Sequence, residues 1–444
     1  MTDTVMPTAG MRGGHVHQRT LHDLPGVPRK LAKGQRGAAL LLALALVCFL
    51  LGEFKAVKYV GAGLPLLSVV VIGQVGLRDL AYRRLPVLVL LFVGWMAMSL
   101  LWSADPSGTR RALIDVASVV SVALVAGLLL DLDRIRAVAT LVYKVLLVGC
   151  TLALVVAPGW STRPPAGDPV AGWHALFGHK NGLGAFLVLT VAALLCEVGR
   201  TRYVWLTLAW ILLLGSQSAS SVGVSLVLTG VVVWRSSARQ LLRPRTRVAY
   251  RFLSAMVTVL GMGLLAFAPA LVTRGLGRSA SLTGRTEIWG AVERQISLHP
   301  VIGLGWGGVW RQASAPTQQM WREARFQAFY AHNGYLDVLL QLGTVGGLLM
   351  LLVLFEVVVR LVHTNRATAA LWAALTVLAL SLQALSESAP FTGALGLLLI
   401  TTLAVALQQR AAALSVAEVR ANLRRVVATD AQTLADVGGT LSSR

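Results

Sequence analysis

Runs of about 16 to 24 mostly apolar residues recur roughly twelve times along this chain, each with the length an α-helix needs to cross about 30 Å of hydrocarbon. They read as 37–52, 59–77, 85–102, 112–130, 137–157, 182–197, 203–215, 220–234, 252–273, 334–359, 367–386 and 390–408. Inside lipid a backbone has no partner except itself, so Pro65, Gly94, Gly346 and Gly347 do not argue against helices there. Spans 203–215 and 220–234 are short and read as a hairpin that dips only partly across. Composition agrees: 13% of the residues are charged, against about 25% in average globular usage. A soluble domain, a disordered chain and a nucleic-acid binder are excluded, despite the net charge of +21. The expected class is an all-α integral membrane protein of about twelve transmembrane helices.

Lys and Arg beside the spans set the orientation. With the N-terminus inside, 26 basic residues fall on the cytosolic side and 13 on the other, with Lys144 left within a span. Both termini are then cytosolic. The predicted organisation is a basic tail over 1–36, helices 1–9 over 37–273, an extracytoplasmic loop over 274–333, helices 10–12 over 334–408 and a cytosolic amphipathic tail over 409–444. The first tail is long, polar and followed by no small-residue cleavage site, so it reads as retained rather than as a signal peptide. In the last tail Ser415 and Glu418 have capping-box spacing. Val416, Val419, Leu423 and Val427 share a helical face there, which suits a helix lying on the inner leaflet.

Most loops are too short to do more than join helices. Two outer ones differ. Residues 158–181 carry four prolines and end near the string FGHKNGLG (177–184), and residues 274–333 hold seven Arg, five Trp or Tyr and two His. In the larger loop Thr286 is placed to cap a helix bearing Ile288, Val292 and Ile296, which Pro300 stops, and a second amphipathic stretch follows around Met320, Trp321, Ala324 and Ala328. Trp and Arg on such helices suit a membrane interface. Asp131-Leu132-Asp133 has the spacing of a nucleotide-sugar motif but sits in a short turn, and reads as solvated.

Four strings then carry a resemblance: HKNGLG (179–184), LTGRTEIW (282–289), HPVIGLGWG (299–307) and AHNGYLDVLLQLGTVG (331–346). In this order, over roughly residues 85–400, the chain resembles the O-antigen ligase and polysaccharide polymerase superfamily, and FGHKNGLG is similar to its exopolysaccharide-polymerase branch. The resemblance implies a polytopic, inverting, metal-independent glycosyltransferase that needs no cofactor. Its donor would be a glycan on a polyprenyl diphosphate and its acceptor a sugar hydroxyl, at the extracytoplasmic face of the cell membrane. It further implies that Arg285 holds the diphosphate and that His332 is the base. Family members often carry an Arg after the Ser-rich turn, where this chain reads GSQSASS (215–221), and Lys180 is the candidate to replace that second cation.

These residue types suit the reaction. A guanidinium fork binds phosphate oxygens bidentately and keeps its proton, while a neutral imidazole near pH 7 is the common base for a hydroxyl. Other readings of the same residues stay open: His332, Arg285 and Lys180 also fit as interfacial anchors. Asp337 is a further candidate, either for a sugar hydroxyl or for a structural hydrogen bond. Glu53, the acid of the first outer loop, keeps alive a transferase whose base lies early in the chain. The rival functions are a polytopic transporter or lipid-linked-glycan flippase, and a non-catalytic partner of other polysaccharide-assembly proteins.

Overall fold

A computed structural model describes residues 29–52, 54–75, 86–162, 172–241, 285–364 and 368–411. Among the described residues every regular element is helical. In chain order they are α1 (Arg29–Leu50), α2 (Lys55–Ala62), α3 (Leu64–Val75), α4 (Val87–Met98), α5 (Pro106–Leu129), α6 (Leu132–Val156) and α7 (Lys180–Leu194). There follow α8 (Thr201–Ser216), α9 (Ala219–Leu241), α10 (Arg285–Leu298), α11 (Ala315–Ala324), α12 (Gly334–His363), α13 (Thr368–Gln383) and α14 (Ala394–Ala411). Six stretches, Ala32–Leu50, Pro106–Leu129, Leu132–Val156, Ala219–Ser236, Gly334–His363 and Ala394–Ala411, are long and apolar enough to cross a membrane.

The predicted spans meet helices where they fall on described residues, with differences in detail; the run 390–408 is interrupted at Gly393, between a short turn of helix, Ala389–Thr392, and α14. The run 59–77 is broken at Gly63 into α2 and α3. Residues 220–234 lie in α9, which is longer than the sequence suggests and has the length to cross alone. Thr286 lies inside the first turn of α10, where its hydroxyl donates to Glu287 Oε2 (2.9 Å) rather than capping the helix. The predicted span 252–273, residues 274–284 of the outer loop, Glu53 and the amphipathic pattern of the last tail lie outside the described residues.

The helices start where short polar side chains satisfy their orphan N–H groups. Asp105 caps α5, with Pro106 in the first turn, and accepts from the Ser107 and Gly108 amides. Asp131 caps α6 by accepting from Arg134 N (2.8 Å), which explains the Asp-Leu-Asp turn. Large apolar residues are left open on the outer helix faces, among them Leu66, Leu91, Leu141, Val145, Val156, Leu348 and Phe355. Open apolar faces of that kind suit contact with lipid or with another apolar surface. The opposite case is α7, buried on all sides from Leu183 onward and packed against α6, α8, α9 and α13. It is the axis of the bundle, and its N-terminus marks the site described below.

Two ends of the bundle are distinct. At one end Lys144, deep in α6, reaches Glu197 in the α7–α8 turn (2.7 Å) and lies over the Trp205 ring. A long side chain that carries its charge toward the membrane edge behaves this way. At the other end the glycine-rich segment 299–310 is joined to α12. Helix α12 breaks at Gly343 (φ 65°, ψ −168°), which would strand carbonyls and amides within the bundle. The segment takes them up in full register: Leu304 N donates to Leu340 O (3.0 Å), Gly305 N to Gln341 O (2.8 Å), Thr344 N to Pro300 O (2.8 Å) and Val345 N to Val301 O (3.2 Å). Trp95 Nε1 donates to Leu342 O (3.0 Å). Every buried backbone group must find such a partner.

A side chain at Gly343 would overlap the Val301 carbonyl, and its backbone conformation is nearly glycine-only. Gly343→Ala is therefore expected to destabilise the detergent-solubilised protein by at least about 1–3 kcal/mol. Gly223→Ala, where a Cβ meets nothing within 4 Å, leaves stability unchanged or slightly raised. Thermal unfolding followed by light scattering compares the two, and equal melting would show that the break tolerates a side chain.

Candidate active site

Four segments converge where the sequence-predicted outer loops meet: the start of α7, the start of α10, the chain entering α12, and the turn 384–388 between α13 and α14. Glu387, in that turn, is their common point. Its Oε1 accepts from Asn181 Nδ2 (2.9 Å) and pairs with Arg285 Nη2 (3.3 Å), while its Oε2 lies 3.6 Å from His332 Nδ1. The last separation is longer than a hydrogen bond. His332 Nδ1 is shielded from water and has no hydrogen-bond partner among the described residues, where Glu387 Oε2 is the acceptor toward which it can close. Arg285, His332 and Glu387 remain partly open, with side-chain exposures of 19%, 26% and 14%.

Local sequence chemistry accounts for this geometry. His332 adopts φ +53°, a left-handed conformation in which His is enriched among non-glycine residues but which still carries strain. Asn333 caps α12, accepting from Tyr335 N (3.0 Å) and Leu336 N (3.1 Å). Gly334 donates its N–H to Ala384 O (2.7 Å), and a Cβ there would sit 3.1 Å from Ala384 Cβ and 3.3 Å from Glu387 O. The string HNG thus reads as an aimed ring, a cap and a close approach to the Glu387 turn. Ahead of it, the Ala331 carbonyl is held by Trp289 Nε1 of α10 (2.8 Å).

The string HKNG works in the same way. His179 caps α7, its Nδ1 accepting from Asn181 N (3.1 Å), so it shapes a helix start. Lys180 opens α7 one residue before Asn181, and its stem lies against Gly172, where the chain passes the Ser216 carbonyl. Arg285 lies in α10. The N-termini of α7 and α12, capped by His179 and Asn333, face one small region with the positive ends of their helix dipoles. Against this positive setting the described cluster holds one carboxylate, Glu387. Such an arrangement could hold an anion beside the His332 imidazole.

Asp337 belongs to a different network. It is 1% exposed, and its Oδ1 accepts from Trp310 Nε1 (2.7 Å) and Gln341 Nε2 (3.2 Å), while Oδ2 lies 3.5 Å from Ala331 N. The carboxylate makes structural hydrogen bonds that tie the glycine-rich segment to α12. Arg311 pairs with Asp105 (3.2 Å). Burial works against that carboxylate's charge, yet hydrogen bonds from Ser107 and Gly108, together with Arg311, hold Asp105 below its ordinary value. Arg294 of α10 pairs with Glu323 of α11 (2.6 Å), and that guanidinium keeps the Glu323 carboxyl below the usual range.

Glu387 and Asn181 were not among the residues singled out from sequence. A signal existed for the first: between 367 and 408 Glu387 is the one charged residue, and it falls in the turn between two apolar runs on the side predicted to be outside. For Asn181 the signal was its place in FGHKNGLG, where attention falls on the neighbouring cation.

Known proteins add to this geometry. A family profile described as O-antigen ligase matches residues 203–352, a stretch that contains Arg285 and His332 but neither Asn181 nor Glu387. The exopolysaccharide production protein ExoQ of Rhizobium meliloti (strain 1021) is 26% identical, over 70% of this chain and 73% of its own length. The chain is thus similar over part of its length to the O-antigen ligase family and to an exopolysaccharide production protein, and its long apolar helices are those of a multi-pass membrane protein.

Proposed function

We propose that this protein transfers a glycan from a polyprenyl diphosphate to a sugar hydroxyl at the extracytoplasmic face of the cell membrane, with inversion and without a metal. The observation that carries the reading is the meeting of Arg285, His332 and Asn181 on Glu387, beside the N-termini of α7 and α12. Arg285 binds the diphosphate, with the helix ends and Lys180 adding positive charge. Glu387 directs the Nδ1 side of His332, leaving Nε2 to accept the proton of the acceptor hydroxyl, as a carboxylate does behind a catalytic imidazole. The acceptor oxygen forms its bond to the anomeric carbon as the bond to the diphosphate breaks, and the diphosphate departs with its charge held by guanidinium and N–H groups. The cations supply the charge stabilisation for which other transferases use a metal ion. Other assembly proteins are expected to hand over the donor and receive the product.

The test pairs two measurements. Deletion of the gene should make glycan accumulate on the polyprenyl lipid, as single repeat units for a polymerase or as long polymer for a ligase; an unchanged lipid pool with altered uptake would replace the enzyme by a transporter. For the side of the membrane, an impermeant maleimide added to intact spheroplasts should label Gln319→Cys in α11 and leave Asp133→Cys unlabelled. Both positions are exposed, and the native Cys48, Cys150 and Cys196 are buried. The reverse labelling pattern would put the site in the cytosol.

A further inference from the structure

An open groove of about 510 Å³ lies at the C-terminal end of α11, outside the cluster around Glu387. Gln312, Gln318, Trp321, Arg322, Arg325 and Phe326 line it, and no carboxylate does. Its walls are held in place. Trp321 Nε1 donates to Ala328 O, and the Trp321 ring meets Phe329 edge-on at 6.1 Å. Gln318 Nε2 donates to Gln312 O (2.7 Å), which fixes that amide. Arg325 ends α11 at φ +62°, a left-handed turn that sets where its side chain departs.

From this groove a line of rings runs toward the candidate base. Trp321 touches Phe329, Phe329 is followed in the chain by Tyr330, and the Tyr330 ring lies 4.3 Å from the ring of His332. Phe326, Phe329 and Tyr330 are all exposed, at 38%, 63% and 41%.

We infer that this groove and its line of rings hold the acceptor glycan, several sugar units back from the hydroxyl presented to His332. The inference rests on the proposed transferase reading and names where its second substrate lies. A pyranose has one face of C–H groups and a rim of hydroxyls. Fixed aromatic rings cover the first, while amides, which both donate and accept, and guanidinium groups, which donate in pairs, serve the second. Ligand sites of this size commonly combine a few such polar groups with aromatic walls. The two guanidinium groups also favour acidic sugars, although Glu323, which pairs with Arg294, lies beside Arg322. A lipid-interface belt would need the aromatic and basic residues, but it would not need three glutamines, Gln312, Gln318 and Gln327, on one groove.

The test uses the full chain in lipid nanodiscs. The probes are end-labelled oligosaccharides released by mild acid from the parent cells' own polysaccharide, sorted into short and long fractions. Because Trp321→Ala risks loosening the loop, Gln312→Ala with Gln327→Ala, both at exposed positions, is measured beside it. Both variants should weaken binding of the long fraction about tenfold and raise its KM similarly, with kcat little changed and products shifted to shorter chains. Parent-like KM and product length in both variants would overturn the assignment. So would equal losses on short and long acceptors, which mark a structural role, or losses that follow nanodisc headgroup charge, which mark an interface anchor. If the parent binds the long fraction at the groove but transfers nothing from the lipid donor, the transferase reading fails and the glycan groove stands.

Discussion

His332→Gln is expected to lower single-turnover transfer by roughly 10²–10⁴ while leaving donor binding near normal. The glutamine amide keeps hydrogen bonding at that position but cannot take the acceptor's proton. Partial burial, the left-handed backbone and the approach to Glu387 all describe a ring that is aimed. A histidine that merely anchored the loop would tolerate Gln with almost parent-like turnover. The measurement is single-turnover transfer in lipid discs, with donor binding followed in parallel. A parent-like rate in the Gln variant would remove His332 from the mechanism and shift the search to Glu53 or Asp337.

Arg285 carries the second large expectation. Arg285→Ala should cost about 2.7–4 kcal/mol of transition-state stabilisation, the usual loss when a main charge-stabilising donor is removed. Arg285→Lys should recover little, because a point charge cannot reproduce a planar fork. Glu387 sharpens the comparison. In the structure it takes one edge of the guanidinium, so Arg285→Ala also leaves a half-buried carboxylate without its ion pair. Thermal stability measured beside kcat separates the two effects: a Lys variant with parent-like stability and low kcat indicts the phosphate contact. A Lys variant as active as the parent would reduce Arg285 to a partner of Glu387.

The helices were legible from sequence for a physical reason. Lipid denies backbone groups any outside partner, so the length of an apolar run alone dictates a helix. The break at Gly343 was not legible in the same way, since the amides and carbonyls that complete it come from residues 300–305, some forty positions earlier. His332 and Arg285 were found through strings of residues, and the structure brings both onto Glu387. Glu387 itself has no string around it; an isolated acid in a turn gains meaning only when three other segments arrive there. Lys144 shows the same limit. Its partner Glu197 lies two helix ends away, and nothing in the local pattern of α6 names it.

The pairing of 299–305 with the broken α12 has a consequence for how substrates arrive. An active-site lid must shed few contacts to move, which is why such elements are drawn from weakly held loops. This segment is held by main-chain bonds on both sides of the break, by Trp102 Nε1 to Ile302 O (3.1 Å), and by Ala104 N to Leu304 O (2.9 Å). It is a fixed roof rather than a hinged door. Under the proposed transferase reading, a lipid-linked donor would have to slide in sideways from the bilayer, the way its own tail is already oriented, while the hydrated glycan chain would enter and leave from the open flank beside α11.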